Sequence, residues 1–62
     1  MIYLINPNDG TVFGKGKSKF VAYEDALENA YTGLDGPPLM RRLARAWLDQ
    51  ALADGTLEFE ED

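Results

Sequence analysis

The chain contains no cysteine and no histidine. Without cysteine there is no disulfide, no thiolate nucleophile and no sulfur ligand for a metal. Without histidine there is no imidazole ligand, so the usual structural zinc sets are excluded and only carboxylates remain. The side chain that most often serves as a general base near neutral pH is also missing. Long apolar runs are absent too: nothing approaches the roughly 20 residues of a membrane span. The first ten residues, MIYLINPNDG, hold five mostly apolar residues before a turn. They lack a basic leader and a long apolar segment, which argues against a signal peptide. Together with the missing cysteine, this points to a reducing, cytoplasmic setting.

Size is the next limit. A chain of 62 residues allows one domain, residues 1–62. Such a chain buries only about 60% of the surface its unfolded form exposes. Small scaffolds commonly add a disulfide, a metal or a second subunit. With cysteine and histidine gone, the remaining supports are tight packing or a partner chain.

The net charge is −5, and its distribution is uneven. Asp9 against Lys15, Lys17 and Lys19 makes residues 1–20 basic. Glu24, Asp25, Glu28 and Asp35 make residues 21–36 acidic. Arg41, Arg42 and Arg45 outweigh Asp49 in residues 37–53, and residues 54–62 carry only acids. Alternating blocks of this kind solubilise a surface, and they also steer a charged partner.

Hydrophobic patterning predicts the elements. Met1 to Ile5 reads as a strand, with Ile2, Tyr3, Leu4 and Ile5 in succession. NPNDG is a turn, because Pro7 gives no ladder donor and Asn8, Asp9 and Gly10 suit turn backbone. Thr11 to Phe13 resumes extended structure, which predicts a hairpin over 1–13. Residues 14–19 read as a mobile basic loop. Tyr23, Ala26, Leu27 and Ala30 recur at helical spacing and predict a helix over about 22–32. Glu24 and Asp25 fall in its first turn, where carboxylates suit the helix dipole. Gly33 is its expected cap. Pro37 and Pro38 suit the opening of a second helix, over about 37–54. Its apolar stripe is Met40, Leu43, Ala44, Trp47 and Ala51. Gly55 is a cap, and TLEFE predicts a short strand at 56–60 with Leu57 and Phe59 inward. The expected fold is α+β in the order β-β-α-α-β, with a two- or three-stranded sheet and both helices on one face.

The stretch GTVFGKGKSK ends like a nucleotide-binding loop. That loop needs Gly, four residues, then Gly-Lys-Ser/Thr. Counting back from Gly16-Lys17-Ser18, the first glycine belongs at residue 11, which is Thr11. The backbone N–H groups would then miss the phosphates. The setting also differs, since such a loop joins a buried parallel strand to a helix. Ser18 has no base to activate it. Glu58, Glu60 and Glu61 crowd one acidic end instead of forming a separated catalytic pair. The residues therefore point to a non-catalytic protein without a cofactor or a metal site.

Two nucleic-acid readings stand beside this. In one, the chain is a winged-helix-like regulator that uses Lys15, Lys17, Lys19 and the face bearing Arg41, Arg42 and Arg45. The net charge of −5 and the acidic third strand oppose it. In the other, the acids at 54–62 imitate DNA phosphates, a pattern diluted by the six basic residues.

Strand 1 carries apolar residues on both faces. Two short helices cover only one. The opposite face, with Tyr3, Ile5 and Phe13, is therefore expected to remain open, the alternative being a central strand 1 with the 14–19 loop folded over that face, and open patches of this kind mark partner sites. Lys15, Lys17, Lys19, Arg41, Arg45, Glu58 and Glu60 would form charged rims that set register and on-rate. In size and composition alone the chain is similar in type to the small inhibitors encoded by phages and mobile elements. No residue carries that likeness, so it assigns no site. The expected function is a protein-binding module that covers a site on a larger intracellular protein or complex. A second copy of the chain is a further candidate partner, and no membrane is involved.

Overall fold

The structure is a computed structural model that describes the backbone of residues 1–34 and 38–62 and the side chains of residues 1–29 and 42–62. The elements are β1 (Ile2–Ile5), β2 (Val12–Gly16), α1 (Lys19–Leu34), α2 (Pro38–Asp54) and β3 (Glu58–Glu61). The strands form one antiparallel sheet in the order β2-β1-β3. The expected α+β class holds, with a three-stranded sheet and β1 at its centre. Among the described residues no helix is long and apolar enough to cross a membrane.

The hairpin loop is tied by its own side chains. Asn8 N–H donates to Asn6 Oδ1 at 2.9 Å, and Thr11 N–H donates to Asp9 Oδ1 at 2.8 Å. Asn6 N–H meets the Thr11 carbonyl at 2.9 Å and closes the loop. These are the Asx turns that NPNDG encodes. The backbone and side-chain hydrogen bonds from Thr11 hold the Asp9 carboxyl below the usual carboxylate range.

Beyond the hairpin, the strand outruns its expected length. Gly14, Lys15 and Gly16 belong to β2, and the predicted loop at 14–19 shrinks to Lys17 and Ser18. The glycines explain this. A Cβ on Gly14 would stand 2.5 Å from Ala26 N and 2.9 Å from Ala26 Cα. A Cβ on Gly16 would meet the Val21 side chain, 2.6 Å from its Cβ, and stand 2.9 Å from Ala22 N. The glycines are there because α1 lies directly on the backbone of β2, not because the segment is mobile.

Helix α1 starts three residues before its expected first residue, 22. Ser18 caps it: its Oγ accepts from Val21 N–H at 3.2 Å, the usual role of serine at this position. Glu24 and Asp25 consequently lie past the first turn. The helix also runs through Gly33 to Leu34, so Gly33 is not its cap. The expected turn at 34–36 and the expected start at Pro37 involve residues 35–37, which lie outside the described residues.

The core consists of Leu4, Ala26, Leu27, Ala44, Leu48, Ala51 and Leu57, with Phe13, Tyr23, Leu52 and Phe59 packed around it. Helix α2 is rotated from its expected orientation. Ala44, Leu48 and Ala51 face inward, while Leu43 and Trp47 remain about half exposed. Rotation places the narrow alanines against α1 and lets the Trp47 ring meet Phe13, with centroids 5.9 Å apart. At the far end Gly55 has a positive φ of 85°. Asp54 Oδ1 accepts from both Thr56 N–H and Thr56 Oγ1, at 2.9 and 2.6 Å. The Thr56 hydroxyl, followed by its N–H, lowers the Asp54 pKa. Leu57 is then buried and Phe59 half-buried, both inward as predicted.

Candidate partner-binding face

The register of the sheet defines two faces. Leu4 pairs with Gly14 on one side and Phe59 on the other, and Leu4 is fully buried under the helices. Successive side chains alternate between faces. Tyr3 and its partners Lys15 and Glu60 therefore point away from the helices. So do Ile5 and its partners Val12 and Glu58. The open face thus has an apolar middle formed by Tyr3, Ile5 and Val12. Lys15 lies on the β2 side and Glu58 and Glu60 on the β3 side. A shallow groove of about 400 Å³ runs along it, from Gly10 and Val12 past Tyr3 and Ile5 to Glu60 and Asp62.

Phe13 is not part of this face. The sheet register shifts between Leu4 and Ile5, so Ile5 pairs with Val12 instead of Phe13. That β-bulge breaks the two-residue alternation and turns Phe13 toward the helices. There it packs on the core and on Trp47. Burying an aromatic ring outweighs preserving a regular ladder. Val12, half exposed, takes the place expected for Phe13.

The predicted basic cluster also divides. Lys15 belongs to the open face, and Lys17 follows the end of β2. Lys19 is the first residue of α1, and its Nζ stands 5.8 Å from the centre of the Phe59 ring, on the helix side. Arg45 lies on the seam between the helices, 5.5 Å over the Tyr23 ring and 4.0 Å from Glu24 Oε1. It is not part of a free basic ridge. The Arg41 side chain lies outside the described residues.

The seam carries one perturbed group. Tyr23 O–H donates to Asp49 Oδ1 at 2.7 Å. Burial first, and the Asp49 carboxylate second, push the Tyr23 pKa up to about 12. A phenol so held is no base at neutral pH. Ser18 Oγ is engaged as a helix cap.

The outer edge of β2 is guarded. Lys15 N–H donates to Asp25 Oδ2 at 3.0 Å, and Asn29 Nδ2 donates to the Phe13 carbonyl at 2.9 Å. Both are ladder groups that another strand would otherwise use. The β3 edge bears Glu58, Glu60 and Glu61, and carboxylates repel a second acidic edge. The edge guard has no direct sign in the residues, because Asp25 and Asn29 look like ordinary exposed helix positions. The glycine pair at i and i+2 was a usable sign of the close helix contact.

No family model, no curated protein and no solved structure matches this chain.

Proposed function

We propose that this chain is a small, non-catalytic protein-binding module that engages its partner through the open face of the sheet. One observation carries the reading: half-buried Tyr3 and Ile5 and exposed Val12 line a groove with Lys15 on one flank and acids on the other. An apolar centre with charged rims is the usual anatomy of a protein interface. Tyr3 is the anchor, since an aromatic ring supplies large contact area at low entropic cost. In this reading the module works in the cytoplasm and occludes a site on its partner, as a small inhibitor does.

The nucleic-acid reading draws less support. Lys15 shares its cross-strand row with Glu60, and Arg45 is engaged with Tyr23 and Glu24. Phosphate binding favours basic groups unaccompanied by acids.

The test is affinity capture with the tagged chain and with a Tyr3→Thr, Ile5→Thr variant, with nuclease treatment and high-salt washing. Threonine keeps strand propensity and removes the apolar surface. A stoichiometric protein that survives nuclease and salt, and is lost on the folded variant, is the expected result. Capture that depends on nucleic acid, or that the variant leaves unchanged, contradicts the reading.

A further inference from the structure

The open face has an electrical order. Along β2 it presents Lys15, with Lys17 one residue past the strand end. Along β1 it presents Ile5 and Tyr3. Along β3 it presents Glu58 and Glu60, and Asp62 follows, with its N–H bonded to the Met1 carbonyl at 3.0 Å. Lys15 and Glu60 occupy the same row, both opposite Tyr3. They stand two strand spacings apart, about 10 Å, on opposite sides of the apolar strip. Among the described residues, neither of these lysines and none of these acids forms an ion pair within the chain.

We infer that the occupant of this face is a second copy of the chain, docked about a two-fold axis parallel to β1. The inference rests on the protein-binding reading above and names the partner. A rotation about that axis brings two open faces together and exchanges left for right. Tyr3 then meets Tyr3 of the second copy. Lys15 of each copy stands over Glu60 of the other, because both lie in the Tyr3 row. Lys17 and Asp62 each follow the residue paired with Ile2, so the two lie at the same end of the sheet on opposite sides of β1. Stacked sheets lie about 10 Å apart, a gap that a lysine and a glutamate span end to end. A two-fold axis across the strands instead sets the Glu58 and Glu60 column of one copy on that of the other, so like charges meet. The charge order therefore selects one isologous geometry. The aligned stacking it produces is the common one for two sheets.

Edge pairing is the competing route to a dimer, and both edges oppose it. Asp25 and Asn29 occupy the ladder groups of β2, and β3 is acidic. The face is small, so the dimer belongs to the weak class of interfaces and dissociates on dilution.

The test pairs two charge variants in sedimentation equilibrium, with circular dichroism as the check on folding. Lys15→Glu with Lys17→Glu makes both rims acidic. Glu60→Lys with Asp62→Lys makes both rims basic. Wild-type protein is expected to reach twice the chain mass at high concentration. Each variant alone should stay monomeric, and an equimolar mixture should form a heterodimer. Folded variants that dimerise alone, a mixture that stays monomeric, or a wild type monomeric at all concentrations overturns the inference. If either variant fails to fold, wild type decides the matter: a mixture of ¹⁴N and ¹⁵N chains is treated with a zero-length carbodiimide. A mixed-isotope Lys15–Glu60 link is expected, and inter-copy links that omit this pair contradict the geometry. Failure here is separable from failure of the broader reading. A monomer that still loses a captured protein on Tyr3→Thr, Ile5→Thr substitution overturns self-pairing alone.

Discussion

Gly14 of β2 and Ala26 of α1 meet backbone to backbone. A Cβ on Gly14 would stand 2.5 Å from Ala26 N, so neither side has a flexible side chain to give way. Gly14→Ala is therefore expected to destabilise by about 3 kcal/mol, the upper end for overpacking. A chain of this length has roughly 3–9 kcal/mol in all. Urea unfolding should show at least about a third of the stability gone. A loss below about 0.5 kcal/mol would mean that α1 can lift from the sheet, a figure typical of an unconstrained surface position.

Ser18 is a helix cap and not a phosphate ligand. Ser18→Ala should cost about 1 kcal/mol by thermal or urea unfolding. ATP and GTP should leave the melting temperature of the wild type and of the variant unchanged. A nucleotide-dependent rise that Ser18→Ala removes would revive the phosphate-loop reading.

Asp25 and Asn29 protect an edge. Asp25→Ala should speed hydrogen exchange at the Lys15 amide, which loses its acceptor. Adding Asn29→Ala frees the Phe13 carbonyl as well. The double variant should aggregate at concentrations where wild type stays clear, because an unguarded edge pairs with other chains. Unchanged exchange at Lys15 would show that the Asp25 contact does not persist in solution.

The Tyr23–Asp49 hydrogen bond has a pH signature. The folded-state pKa of Tyr23 lies above the ordinary tyrosine value of 10.0, at about 12. Its contribution to stability is thus fully present below pH 10 and is lost as pH rises toward 12. Asp9 and Asp54 run the other way: their pKa values are lowered from 3.8, so their contribution is present above that value and is lost at lower pH. Tyr23→Phe should cost about 1 kcal/mol at neutral pH, the net worth of one hydrogen bond, and should flatten the alkaline limb. Asp49→Asn should bring the Tyr23 ionisation to lower pH in an absorbance titration near 295 nm. An unmoved titration would show that Asp49 plays no part in it.

Much of this fold was legible in the residues. The apolar run at Ile2 to Ile5, the turn at NPNDG, the helical spacing of Ala26 and Leu27, and the alternation of TLEFE each encode an element locally. The misreadings share one physical origin, because tertiary contact overrode local pattern. Gly14 and Gly16 read as mobility, yet they are small so that a helix can lie on them. Phe13 read as an outward residue, yet a bulge turned it toward Trp47. Trp47 read as core, yet two alanines and Leu48 fit the space beside α1 better. The open face itself followed from a simple count, since β1 is apolar on both sides and two helices cover one. Its charge order did not, because strand order and register are needed to set Lys15 and Glu60 in one row.

The sheet face is best tried as the binding site by photo-cross-linking from the face itself. A benzoylphenylalanine placed at Tyr3 is compared with one placed at Leu43, an exposed apolar position on α2. A discrete protein adduct, to a second copy or to another protein, is expected from position 3 and none from position 43. Adducts from position 43 alone, with position 3 silent in a folded protein, would contradict this assignment.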